Sequence, residues 1–374
     1  MRIQFANNNT LTFYTMSTQN LQNLRTEIDQ LDQDIQELIT KRAHLAIKVK
    51  DAKYAEEENP TFYRPEREAE VLQNVQKRNQ GPLSDDTLVQ IFKEIMSGCL
   101  ALQKPLKIAF LGPEGTYSQA AVCKHFGHAT RTLPQQTIDD VFRDVESGAA
   151  HFGVVPVENS TEGGVNQTLD CFIETPLKIC GEIELPIHHH LLSKCDELGQ
   201  IQRIYTHQQS FAQCRGWLDS HLPKIEQITV NSNAEAARLA SNESGAAAIA
   251  GIAAAEIYQL QILASRIEDH VNNTTRFAVL GQKAVSPSGN DKTSLLLSSP
   301  NQSGALYHLL QPFADNHVSM TRIESRPSRK GIWEYIFFVD IEGHIEEASI
   351  AQSLEALQKQ ASFIKPLGSY PRAV

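Results

Sequence analysis

From Leu21 onward, apolar side chains fall at Leu21, Leu24, Ile28, Leu31, Ile35 and Leu38, then at Leu45, Val49 and Ala52. This alternation of three and four predicts one long amphipathic helix. Arg42 stands where the seam asks for an apolar residue, and a charge on a seam needs an anion. After the breaker ENP, the stretch TFYRPEREAEVL opens a second helix with Arg64, Arg67 and Glu68. GPLSDD caps a third, SDDTLVQIFKEIMSGCLALQ, which ends in Gln103. Beyond the proline of QKPLKIAFL, short apolar runs alternate with helical periods, the pattern of an α/β domain. Behind SPSGND the order becomes strand, helix, strand, strand, helix, strand, which predicts a small βαββαβ sheet with helices on one face.

The seam cation belongs to a set with Arg25 and Lys53. On a helix, Arg42 and Lys53 lie roughly 16 Å apart on nearly one face, whereas Arg25 is roughly 25 Å from Arg42 and turned off that face. Two readings stand. The helix is a coiled coil with solvated basic flanks, or an antiparallel second copy brings its Arg25 across to complete one site.

Composition narrows the partners. At 374 residues and 41% apolar content the chain exceeds one ordinary core, so several domains are expected. Its 34 basic and 44 acidic side chains give a net charge of -10, which offers no footprint for nucleic acid or an anionic membrane. No run approaches the ~20 apolar residues of a membrane span. The cysteines lack CxxC pairing and read as reduced thiols, so a cytoplasmic protein is expected. The opening MRIQFANNNTLTFYT carries no helical period and precedes Met16; residues 1–16 are expected to be a disordered extension or a mis-assigned start.

The motifs LRTEIDQLDQDI, KRAHLAIKVKDAK, YRPERE and CLALQ resemble the all-helical chorismate mutases, over residues 17–104. In that family two chains interlock and each pocket takes one arginine from the partner. The resemblance implies that Arg25 of one chain joins Arg42, Lys53 and Arg67 of the other around a dicarboxylate. It also implies that Glu68 binds the substrate hydroxyl, that Gln103 and Lys53 meet the ether oxygen, and that Cys99 makes a secondary contact where relatives carry serine. The reaction is pericyclic, so the protein supplies a compressed conformer and positive charge at the breaking bond.

In the middle of the chain, GPEGTYS brings Gly112, Gly115, Thr116 and Ser118 to a helix start. That is an anion cradle or a tight turn with an N-cap. Neither GxGxxG nor GxxxxGK[ST] occurs, which argues against a dinucleotide enzyme or a phosphate-loop ATPase. VVPVENSTEGG, YTHQQSFAQC and NNTTRFAVL are three further strand-end loops with uncharged donors, as expected where α/β lobes converge on a cleft.

Taken in order, these motifs resemble prephenate dehydratase over residues 105–284. The implied fold is two α/β lobes of the periplasmic-binding type. By this resemblance Thr275 is the catalytic hydroxyl that assists the departing hydroxide, Arg276 the cation for a carboxylate, and Phe277 the packing residue. Thr116, Ser118, Asn159, Ser160, Thr206, Gln213 and Thr274 complete the substrate-binding set. The loop reads THQQ from Thr206 to Gln209 where the family has SHPQ. In LPIHHHLL, strand alternation lets only His188 and His190 share a face, and no third ligand is spaced to join them; no metal and no cofactor is expected.

At the C-terminus, GALY and ESRP resemble the phenylalanine motifs of ACT regulatory domains, over residues 291–374. The resemblance implies binding of phenylalanine by Gly304, Ala305, Leu306, Glu324, Ser325, Arg326 and Pro327 at an edge-to-edge dimer interface. Tyr307 stands where valine is usual. The whole reads as a bifunctional enzyme, a homodimer or tetramer, that turns chorismate through prephenate into phenylpyruvate under phenylalanine feedback. The rival is a non-catalytic amino-acid sensor, and the Thr275, Arg276 and Asn159 set speaks against it.

Overall fold

A computed structural model describes residues 8–58, 60–299, 302–327 and 335–373. They form two compact units. The first is the chain up to Phe62 with Gly98–Lys104; the second is Tyr63–Ser97 with the chain from Pro105 onward.

Helix α1 (Asn8–Glu56) is unbroken. It begins eight residues before Met16, so the irregular extension expected there does not extend to residues 8–15; residues 1–7 lie outside the described residues. The seam residues Leu21 to Val49 are 46–63% exposed, too wet for a core. Helix α2 (Pro65–Arg78) starts with proline at its first turn, where a missing N–H costs nothing, and buries Ala69, Leu72 and Val75. Helix α3 (Asp85–Gln103) opens with two acids against its dipole.

The next strands and helices are β1 (Lys107–Leu111), α4 (Tyr117–Phe126), β2 (Arg131–Gln135), α5 (Ile138–Glu146), β3 (Phe152–Asn159), β4 (Gly163–Gly164), α6 (Asn166–Glu174) and β5 (Lys178–Pro186). The chain then crosses into a second lobe made of β6 (His190–Ser193), β7 (Arg203–Thr206), α7 (Gln208–Gln213), α8 (Arg215–His221), β8 (Glu226–Thr229), α9 (Asn233–Asn242), β9 (Ala246–Ala250), α10 (Ile252–Tyr258) and β10 (Gln261–Ala264). It returns along β11 (Thr274–Gly281) and ends in β12 (Asp291–Ser299), α11 (Ala305–Asp315), β13 (Met320–Pro327), β14 (Tyr335–Glu342), α12 (Ala348–Gln358) and β15 (Phe363–Pro371).

The first sheet runs β2-β1-β3-β11-β5 and the second β10-β6-β9-β7-β8, so the chain passes between lobes twice, as the two-lobed reading requires. Because β11 lies antiparallel between β3 and the edge strand β5 of the first sheet, the returning segment delivers its first residues to the lobe junction. The second lobe packs small residues: β9 is alanine and isoleucine throughout and fully buried against Ala236, Ala237 and Ala240 of α9.

The third sheet, β13-β14-β12-β15, follows the predicted βαββαβ order. It shares a core with the first sheet: Leu296, Ile336, Phe338, Leu367 and Tyr370 pack with Val155, Phe172, Ile179 and Ala278. Among the described residues no helix is long and apolar enough to cross a membrane.

Candidate active sites

A cleft of about 1250 Å3 is lined by both lobes. Thr116, Ser118, Asn159, Gln213, Thr275 and Phe277 line it as the motifs predict. The GPEGT loop fulfils its reading as a tight turn with an N-cap, while the N–H groups of Gly112 and Gly115 are used on Gln135 O and Gln119 Oε1. Thr116 caps α4 by accepting from Gln119 N, and the loop also faces the cleft. Gly115 has φ +85°, and a Cβ there would press on Ala254 and Tyr258 at 3.2–3.5 Å, so only glycine lets the loop approach α10.

The cleft's centre is a directional hydrogen-bond chain. Asn159 Oδ1 accepts from the backbone N–H groups of Thr161 and Glu162 at 3.0 and 3.1 Å, which fixes the amide orientation. Its Nδ2 therefore donates, to Thr275 Oγ1 at 2.8 Å and to Asn273 Oδ1 at 2.8 Å. Asn273 Nδ2 then faces Gln213 Oε1 at 3.3 Å, and that oxygen lies 2.8 Å from His189 Nε2. On its other side His189 Nδ1 lies 2.9 Å from the oxygen of the Tyr117 hydroxyl, which donates its proton to His188 O at 2.7 Å. Burial drives the His189 pKa down, in keeping with a neutral ring. Thr275 already accepts from Asn159, so its own proton is left to be donated into the cleft.

Four expected contacts fall elsewhere. Arg276 is absent from the cleft lining: one step along β11 from Thr275, it points through the opposite face of the sheet. Its Nη1 lies 2.6 Å from Asp340 Oδ2 on β14, and its side chain is only 16% exposed. Thr206 is fully buried and its hydroxyl is used on Ile249 O and Asn233 Oδ1, so it shapes the loop instead of meeting substrate. Ser160 latches β11 by accepting from Thr274 N at 3.0 Å. Thr274, out of phase with Thr275, faces a different cavity.

The cation at the cleft is instead Arg238, on α9, with the N-termini of α4 and α9 adding their backbone N–H groups. Sequence reasoning passed over Arg238, Asn273 and His189. His189 was within view, in the histidine triplet.

Three family models match in order: chorismate mutase type II at residues 24–104, prephenate dehydratase at 108–285 and the ACT domain at 293–358. A bifunctional chorismate mutase/prephenate dehydratase of Pseudomonas aeruginosa is 52% identical over 358 residues, covering 95% of this chain and 98% of the relative. The chain belongs to this bifunctional family.

Among solved structures, a prephenate dehydratase from Arthrobacter aurescens in complex with L-Phe is 35% identical, covers 71% of this chain and 90% of its own, and superposes with a TM-score of 0.66. A protein described as a novel type of quorum quenching acylase is 33% identical, covers 71% and 97%, and scores 0.65. The shared fold alone therefore does not name the chemistry of the cleft.

In the mutase region, Arg25 is exposed and Arg42 half-buried on the continuous α1, so the roughly 25 Å between them stands. Lys53 Nζ donates to Thr61 O at 2.8 Å and lies over the Phe62 ring, while Gln103 Nε2 donates to Ala46 O at 2.9 Å. Cys99 is buried. Arg67 makes a surface pair with Glu70, 2.5 Å apart. Glu68 is placed with the second unit, where it lines a 310 Å3 cavity with Tyr63, Lys93 and His125. Burial raises its carboxyl to about 7 against the pull of Lys93.

In the ACT domain, Gly304 takes φ +80° before α11, and Ala305 and Leu306 open that helix. Glu324, Ser325, Arg326 and Pro327 end the edge strand β13. Arg326 is spent on the dehydratase domain, 2.8 Å from Asp170 Oδ1 and from Asn166 O. Among the described residues no hydrogen bond or ion pair joins the two motifs.

Proposed function

We propose that the chain performs both reactions of its family, converting chorismate to prephenate in the helical domain and prephenate to phenylpyruvate in the cleft. The observation that carries the second step is the Asn159–Thr275 contact at 2.8 Å, which frees the Thr275 proton for the departing hydroxide. A neutral hydroxyl is a weak acid, so most of the rate comes from placement and preorganised dipoles while aromatisation drives loss of carbon dioxide. Arg238 and the two helix N-termini hold the dicarboxylate.

The mutase pocket is completed by a second chain. The distance between Arg25 and Arg42 and the wet apolar seam of α1 both support an antiparallel dimer, with the partner's Arg25 reaching Arg42, Lys53 and Gln103. Dimers or tetramers in the cytoplasm are the working state. Phenylalanine binds the ACT domain at GALY and ESRP and inhibits the dehydratase; the L-Phe complex of the Arthrobacter aurescens relative supports this.

The test supplies chorismate without cofactor or metal and follows chorismate loss and phenylpyruvate formation together, with and without millimolar phenylalanine. Both signals moving, with phenylpyruvate suppressed by phenylalanine, is the expected result. Prephenate accumulating without phenylpyruvate would leave the cleft a binding site only.

A further inference from the structure

Thr275 and Asn159 face each other across the β11–β3 pairing, and each has a chain neighbour pointing through the other side of the sheet. Those neighbours, Arg276 and Glu158, are both held by the ACT sheet. Arg276 pairs with Asp340 of β14 at 2.6 Å and Glu158 with Arg322 of β13 at 2.9 Å. The two neighbours also approach each other at 3.6 Å.

Asp340 is 3% exposed and is pinned by Ser294 Oγ at 2.6 Å. Burial opposes its charge, yet Arg276, the Ser294 hydroxyl and Arg322 together hold its carboxyl below the ordinary range. Arg322 in turn pairs with Glu324, the first residue of the ESRP motif. Nearby, Lys292 of β12 donates to both oxygens of Glu182 on β5 at 2.7 and 2.8 Å, so the grip is buried and multiple. Charged pairs of this kind are directional and strongly worsened by removing one member.

We propose that Asp340 and Arg322 are positioning residues of the dehydratase. By holding Arg276 and Glu158 they set the Thr275–Asn159 pair in the cleft, and they are the route by which the state of the ACT domain reaches it. The regulatory half of this proposal rests on the phenylalanine reading above. A substitution on the ACT side then changes chemistry at a cleft it never touches.

The experiment uses full-length Asp340→Asn and Arg322→Gln, with kcat and KM for prephenate, phenylalanine affinity by calorimetry, and mutase activity as a folding control. The expected result is kcat lowered about tenfold with KM within about twofold and inhibition reduced toward none in both variants, with phenylalanine affinity unchanged in Asp340→Asn, whose side chain is not paired to the ESRP motif. Arg322→Gln decides the matter should Asp340→Asn fail to fold, because its partners Glu158 and Glu324 are 37% and 25% exposed and are not left as buried charges. Wild-type kcat with full inhibition in the folded variants overturns the proposal. So does a raised KM at constant kcat, which would make Arg276 a substrate ligand. A wild-type protein indifferent to phenylalanine removes the regulatory reading alone, and the kcat criterion then judges the positioning role by itself.

Discussion

The Asn159 carboxamide donates to Thr275 Oγ1 across 2.8 Å, and its own oxygen is held by two backbone N–H groups that forbid the reverse orientation. Asn159→Asp is close in shape but replaces the donor by an acceptor, which turns the Thr275 proton away from the cleft. Dehydration is expected to fall by roughly 10²- to 10³-fold, and by about 10³-fold in Thr275→Ala, with mutase turnover unchanged. Steady-state assays of the two reactions on one preparation check this; dehydration within a factor of about three of wild type in both variants would remove Thr275 from the chemistry.

Arg238 lines the cleft in the absence of Arg276 and, among the described residues, has a single loose ion pair, 3.9 Å from Glu235. Arg238→Met is expected to raise KM for prephenate roughly tenfold with little change in kcat, the signature of a lost uniform binding contact. An unchanged KM would leave the helix N-termini as the dicarboxylate's holders.

Subunit mixing tests the mutase site. Arg25→Ala and Arg42→Ala homodimers are each expected to be inactive, because every site lacks one cation. In a mixed dimer one site carries both lesions and the other none, so an equimolar mixture should recover about a quarter of wild-type turnover. No recovery after exchange would place Arg25 and Arg42 in the service of the same chain's site.

Glu68 makes stability depend on pH. Its folded pKa, about 7, lies above the ordinary 4.5, chiefly through burial. The protonated form therefore favours the folded chain. That contribution is complete below about pH 4.5, fades as pH rises and is gone above about 7. Calorimetric melting of Glu68→Gln should lack this decline, so wild type loses Tm relative to the variant between pH 5 and 7.5. Parallel melting curves across that window would contradict the assignment.

Much of this was legible in the sequence because periodicity survives folding. The seam of α1, the strand–helix alternation of the two lobes and the βαββαβ order each follow from spacing. Thr275, Asn159, Gln213, Thr116 and Ser118 were placed in the cleft by their motifs. The failures have a common geometric cause. Arg276 sits beside Thr275 in sequence, but one step along a strand reverses the face, and its ion pair with Asp340 reveals the direction. Thr206 was read as a donor to substrate because nothing in THQQ shows that Ile249 O lies 2.8 Å from its hydroxyl. The triplet of histidines hid the one that matters: His189 faces the cleft while His188 pairs with Glu268 at 2.8 Å. Arg238 sits in an unremarkable alanine-rich helix.

The wet seam of α1 also carries a consequence for how the two activities respond to dilution. The helix has 49 residues, a reach of roughly 70 Å, and its apolar ridge from Leu21 to Val49 is exposed. On the proposed dimeric mutase pocket, a site finished by another chain obeys mass action, whereas the cleft draws every lining side chain from one polypeptide. As protein becomes scarce, prephenate formation should therefore fail while its dehydration persists, so abundance itself gates the first step of the sequence.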